Sequence, residues 1–128
     1  MTDANGMTPL PSHQAFEDML RPRGNRPSAH VQEETTYEPW VVVCFSAKWC
    51  GPCQRLNKKL LVEKTPTIKW YSCDVDENDV TLGYCGLRGI PGFCLIKDGV
   101  FKDKKQGAQN EEEILTWLAQ NGVPIPIC

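Results

Sequence analysis

The sequence has almost no excess of either charge: 14 Lys and Arg stand against 16 Asp and Glu, a formal net charge of −2. A nucleic-acid binder shows a strong basic excess, so this balance argues against that class. Also missing is any apolar run near the roughly 20 residues that span a bilayer, and no membrane association is expected. Residues 1–20 carry Asp3, Glu17 and Asp18 and have no apolar stretch of signal-peptide type. They read neither as a secretory signal nor as an Arg-rich, acid-poor transit peptide, and the chain is expected to be cytoplasmic. Histidine is scarce, with only His13 and His30. Cysteine is not: there are seven, an odd number that cannot pair completely within one chain. In a reducing compartment most of them should be free thiols.

With 128 residues, 41% hydrophobic and 23% charged, the chain has the size and composition of one globular domain. A core of that size holds without disulfide staples. The expected domain is the whole chain, 1–128, with a core from about 7 to 122. An extended loop at 21–39 is broken by Pro22, Gly24, Pro27 and Pro39, and a Pro-broken tail occupies 123–128.

Ser12 is a fair N-cap for a first helix over 13–20, where Phe16, Met19 and Leu20 recur at helical spacing. Residues 41–46 form a continuous β-branched and apolar run, the pattern of a central strand covered on both faces. A helix follows from Pro52 or Cys53 to Glu63, with Leu56, Leu60 and Leu61 on its apolar side. Further strands are predicted at 67–73, 93–96 and, as a polar edge, 100–106. A short helix falls at 79–84 and a loop at 86–91. Asp98-Gly99 is a hairpin turn. Asn110 caps a last helix over 111–121 whose first turn holds acids. The order β-α-β-α-β-α-β-β-α means an α/β fold: a central mixed sheet of four to five strands with helices on both faces.

The chemistry is carried by Cys50-Gly51-Pro52-Cys53. Thiol–disulfide exchange needs a thiolate, and a helix start supplies unpaired N–H groups and the positive end of the macrodipole. Cys50 is expected just ahead of the helix, exposed in a loop, with Cys53 inside the first turn. Two intervening residues let the sulfurs meet, so the second thiol can resolve a mixed disulfide formed by the first. Pro52 suits a first helical turn, where a missing N–H costs nothing, and Gly51 keeps the approach to Cys50 open. The competing reading of Cys-x-x-Cys is half a zinc site. Its other half should be a second close pair, yet Cys73, Cys85, Cys94 and Cys128 are scattered singly and the histidines are far apart, so no metal is expected. A purely structural disulfide fits a cytosolic chain poorly.

Four segments together resemble the thioredoxin family: Ser46-Ala-Lys-Trp-Cys-Gly-Pro-Cys53, the turn at 74–78, Gly89-Ile-Pro91 and Lys97-Asp-Gly99. The likeness covers about 7–122, and Phe45-Ser46-Ala47 is closer to eukaryotic members. It implies the thioredoxin fold and reduction of protein disulfides by dithiol exchange. It also implies Cys50 as nucleophile, Cys53 as resolving thiol, and Pro91 as a cis-proline that leaves the Ile90 backbone free to pair with an extended substrate. Trp49, Gly89, Ile90, Gly107 and Ala108 match the family's apolar substrate rim; for Ile90 and Ala108 ordinary packing is the alternative. The resemblance implies a redox-active Cys50–Cys53 disulfide, no bound cofactor, a monomer, and electrons from NADPH through thioredoxin reductase.

The chain also departs from the family. The proton-relay position, usually a buried Asp, is Cys44; a nearby Lys position is Ser72; the helix-kinking proline is Lys58; and the Thr after the cis-proline is Gly92. A buried thiol takes over the acid's duty poorly. Without that proline, the helix after the cysteines is expected to run unbroken to Glu63. Cys73 and Cys94 read as core thiols. Cys85, near an additional surface cysteine of animal thioredoxins, and Cys128 in the tail are candidate regulatory thiols. The alternatives to turnover are a redox-sensitive protein-binding module and a peroxide-sensing adaptor using Cys85 or Cys128.

Overall fold

The computed structural model describes residues 4–21 and 37–125. Its central strand, β2 (Trp40–Ser46), is buried from Trp40 to Phe45, as the apolar run requires. β3 (Lys69–Asp74) pairs parallel to β2, and the short β1 (Thr8–Pro9) pairs parallel to β3. On the other side of β2, β4 (Gly92–Lys97) runs antiparallel, and β5 (Val100–Gln106) pairs antiparallel with β4. The resulting five-stranded sheet has the order β1-β3-β2-β4-β5. Asp98 and Gly99 turn β4 into β5 with φ of 51° and 81°, the two left-handed residues of a tight hairpin.

Side-chain alternation divides the core. Val42, Cys44, Phe93 and Leu95 face one side, under Leu61 of α3 (Lys58–Lys64) and Ile114, Trp117 and Leu118 of α5 (Glu111–Gln120). Val41, Val43, Phe45, Cys73, Cys94 and Ile96 face the other, under Phe16 of α1 (His13–Glu17) and Cys85, which follows α4 (Thr81–Tyr84). The expected mixed sheet with helices on both faces is thus present, and Asn110 caps α5 through Glu113 N–H.

Two expectations fail. The first helix ends at Glu17 rather than 20. Met19 and Leu20 N–H bond back to Phe16 and Glu17 carbonyls three residues earlier, a tightened turn that delivers Arg21 N–H to the Gly99 carbonyl at 2.7 Å. The second failure is the helix after the cysteines. It is not continuous to Glu63: α2 (Gly51–Arg55) stops, and α3 begins afresh at Lys58. Proline is not needed for the break. Leu56 turns extended at ψ 133° with its side chain buried in the core. Asn57 then caps α3, its side-chain oxygen accepting Leu60 N–H at 3.0 Å, and its own N–H donates to Glu111 at 3.3 Å. A capping asparagine offers the backbone an alternative to helix, and here it prevails.

Candidate active site

Cys50 is the N-cap of α2, and Pro52 lies in the helix's first turn. The Cys53 N–H points at Cys50 Sγ, 3.2 Å away, and the same N–H is placed to stabilise a thiolate on that sulfur in the reduced form. Cys50 and Cys53 are joined as a disulfide with Cα atoms 5.3 Å apart. Ahead of them, Cys50 N–H bonds the Ala47 carbonyl, and the Gln54 side chain donates to that same carbonyl at 2.9 Å, fixing the turn. Gly51 is exposed; a Cβ there would find only Arg55, at 3.5 Å, so the outer side of the motif is open. Cys50 itself is less open than the sequence predicted. It is 5% exposed and Cys53 fully buried, because Ala47, Val75 and Ile90 close around the pair.

Ile90 precedes a cis peptide bond to Pro91. The loop that carries them is anchored to the end of β5: Gly107 N–H donates to the Pro91 carbonyl at 2.7 Å, and Arg88 N–H to the Gln106 side chain at 2.8 Å. Gly89 lies half-buried against Gln106. Gly92 is where the family has Thr, and the packing gives the reason. A Cβ there would stand 3.1 Å from the Gly89 carbonyl and 3.2 Å from Leu87. Of the expected rim, Ile90 packs on the cysteine pair, and Gly107 is bonded to the carbonyl of the neighbouring Pro91. Ala108 packs instead against the core on the α3–α5 side.

Trp49 is 68% exposed beside Cys50, and its indole N–H donates to Asp76 at 2.9 Å. Nothing in the sequence marks Asp76 beyond its place in the 74–78 turn. Asp74 builds that turn, its carbonyl accepting Glu77 and Asn78 N–H and its side chain accepting Asp76 N–H at 2.9 Å. A tryptophan and an acid 27 residues apart leave no local pattern by which to pair them.

Cys44 is 1% exposed on β2. It borders a cavity of about 180 Å³ together with Ser46, Lys58, Ser72 and Asp74. Three departures from the family pattern, Cys44, Ser72 and Lys58, therefore meet at one place. The helix break accounts for Lys58, which stands in the first turn of α3 rather than midway along a longer helix. Among the other thiols, Cys73 and Cys94 are buried as expected, and burial together with the charges of Asp74, Cys85, Cys44 and Glu77 pushes the Cys73 thiol up to about 12. Cys85 is not a surface cysteine: at 4% exposed it belongs to the core beneath α1 and α4. Cys128 lies outside the described residues, as do His30 and most of the expected 21–39 loop. Among the described residues no three His, Cys, Asp or Glu side chains gather to hold a metal ion. No helix of the described residues is long and apolar enough to cross a membrane.

The thioredoxin family model matches residues 27–120. The chain belongs to the thioredoxin family. Curated relatives agree: the thioredoxin of Geodia cydonium is 41% identical over 84 residues, 63% of this chain and 78% of that one. The thioredoxin of Rickettsia typhi is 37% identical over 81 residues, covering 61% and 77%. Among solved structures, mitochondrial thioredoxin 3 of Saccharomyces cerevisiae superposes with a TM-score of 0.69 at 24% identity, over 89% of this chain and 94% of that one. The thioredoxin of Trypanosoma brucei brucei gives 0.71 at 19% identity, over 92% of each. These superpositions support the fold. Family and Cys50–Cys53 disulfide together make the chain a thiol–disulfide oxidoreductase with protein-disulfide reductase activity.

Proposed function

We propose that reduction proceeds with Cys50 as the nucleophile and Cys53 as the resolving thiol. The observation that carries this assignment is the Cys53 N–H directed at Cys50 Sγ: a thiolate gains that hydrogen bond at Cys50. The Cys50 thiolate attacks one sulfur of a substrate disulfide; the new S–S bond forms as the substrate's own bond breaks and its second sulfur leaves as a thiolate. Cys53 then loses its proton and attacks Cys50 Sγ. The Cys50–Cys53 bond closes and the substrate departs with both sulfurs reduced. With Cys44 in place of an acid, water or the departing substrate thiolate takes the Cys53 proton.

Ile90, Pro91 and Gly89 offer an extended backbone to the substrate, and Trp49 gives the complex an exposed apolar contact beside Cys50. Gly107 supports that loop through Pro91; Gly51 and Pro52 shape the motif, and Ala108 serves the core. The working unit is one domain, core about 7–122, acting as a cytoplasmic monomer on protein disulfides. NADPH supplies the electrons through thioredoxin reductase, which places the chain in electron transport and cell redox homeostasis. Insulin reduction driven by dithiothreitol tests the catalytic reading. Many insulin disulfides reduced per protein molecule support it; exchange that halts at one per molecule points instead to a redox-sensitive binding module.

A further inference from the structure

Arg55 is the last residue of α2 and Gly51 the first, one helical turn apart on the same face. A long helical side chain leans back toward the N-terminus and covers the turn before it. Arg55 does so here: a Cβ built on Gly51 would stand 3.5 Å from its Nη1. The guanidinium therefore lies over the residue bonded directly to Cys50, and glycine at 51 keeps the space beneath it clear.

The protein offers this cation no partner. Gly51 and Arg55 are both exposed. Among the described residues no carboxylate pairs with Arg55, and its side chain makes no hydrogen bond. Lys48, exposed in the turn that leads into Cys50, is unpaired in the same way. Asp76, by contrast, is committed: it accepts the Trp49 indole N–H at 2.9 Å. Cys50 thus stands between a tryptophan anchored on an acid and an arginine whose donors the protein leaves unused. A guanidinium presents paired N–H donors that match a carboxylate.

We propose that Arg55 is a specificity-determining residue, which favours disulfides whose reacting cysteine is flanked by Glu or Asp. The proposal rests on Cys50 as the nucleophile. The substrate cysteine must come within bonding distance of Cys50 Sγ, and its chain neighbours then lie beside Gly51. A carboxylate there meets the guanidinium, whereas a Lys or Arg meets a like charge. The ion pair forms at an exposed rim, so it changes the rate a few-fold, and salt screens it.

The test uses two short synthetic peptides that differ only in whether Glu or Lys flanks the cysteine, each activated as its 2-pyridyl disulfide. The Cys50 sulfur bonds the peptide sulfur, the old S–S bond breaks, and pyridine-2-thiolate leaves and takes up a proton as pyridine-2-thione, whose absorbance gives the rate. Stopped-flow rates are measured for the reduced Cys53→Ser protein and for the same protein carrying Arg55→Gln, Arg55→Glu or Arg55→Lys. The ratio of the Glu-peptide rate to the Lys-peptide rate should fall about two- to fivefold with Arg55→Gln at low salt, fall further with Arg55→Glu, and be kept by Arg55→Lys. Salt at about 0.5 M should erase the difference between parent and Arg55→Gln. The intrinsic reactivities of the two peptides cancel between proteins. Partial loss of folded protein cancels within each ratio. A ratio that Arg55→Gln leaves unchanged, or lowers equally at high salt, would overturn the proposal. Mapping the bound peptide by mass spectrometry separates the two readings: peptide on Cys50 with an unchanged ratio sinks this proposal alone, whereas peptide on other cysteines sinks the nucleophile assignment beneath it.

Discussion

Replacing Cys44 with the family's acid, Cys44→Asp, should speed resolution and weaken the fold. The side chain is 1% exposed, so the introduced carboxyl loses nearly all its water. Burying a polar group without adequate partners costs about 1–3 kcal/mol in proteins. The cavity at this position is shared with Lys58 and Ser72, which supply a cation and a hydroxyl, but also with the carboxylates of Asp74 and Glu77, which oppose a further negative charge, so the cost should fall within that range rather than vanish. Adding Lys58→Met removes the cation and should deepen the loss by about 1 kcal/mol. Desolvation raises the folded-state pKa of the new carboxyl above its unfolded value near 3.9. Its ionisation therefore disfavours the folded state, and the penalty grows as pH rises through and above the unfolded pKa. Below about pH 4 the variant should melt close to the parent, and at pH 7 several degrees lower. Calorimetry of the reduced forms at both pH values measures this. Stopped-flow reduction of a model disulfide from pH 6 to 9 measures resolution, which should be faster near pH 7 in the variant, where the carboxylate can accept the Cys53 proton. Superimposable rate profiles, or equal melting points at pH 7, would refute the reasoning.

Asp103 ties β5 to α5, accepting the Trp117 indole N–H at 2.8 Å and Asn121 at 3.0 Å. Burial raises its pKa, but these two bonds, the Lys104 N–H and the charge of Lys102 outweigh it, and the net shift is downward. A depressed folded-state pKa means stability that is fully present above the unfolded pKa near 3.9 and lost as pH falls through the folded value. Asp103→Ala should cost about 0.5–1.5 kcal/mol at pH 7, water replacing part of the lost bonds at this partly exposed site, and progressively less below pH 4, read by urea titration. Gly92→Thr restores the family's residue against the Gly89 carbonyl and Leu87, at 3.1 and 3.2 Å. It should destabilise by about 1–3 kcal/mol and lower insulin reduction by displacing the Gly89–Pro91 loop; an unchanged melting temperature would contradict the packing described.

Much of the fold is written in local pattern. The apolar run of β2, the Asp98-Gly99 hairpin and the Asn110 cap each act over a few residues, and each falls where the sequence predicts. The break between α2 and α3 is different in kind. A helical-spacing pattern at Leu56, Leu60 and Leu61 continues across it, and only the burial of Leu56 and the reach of Glu111 to Asn57 favour Asn57 as a cap over a helix interior. The site divides in the same way. The motif announces the cysteines, and the resemblance implies the cis bond at Pro91, which the structure contains. The Trp49–Asp76 bond, the common cavity of Cys44, Lys58 and Ser72, and the burial of Cys85 all depend on tertiary placement, which no sequence period encodes.

The central claim is that Cys50 attacks and Cys53 resolves. The most direct measurement is mass spectrometric mapping of mixed disulfides formed with a protein substrate by Cys53→Ser and, separately, by Cys50→Ser. The account predicts substrate held on Cys50 in the Cys53→Ser protein, and none held on Cys53 in the Cys50→Ser protein. Substrate trapped on Cys53 in the Cys50→Ser protein, with none on Cys50 in its counterpart, would contradict it.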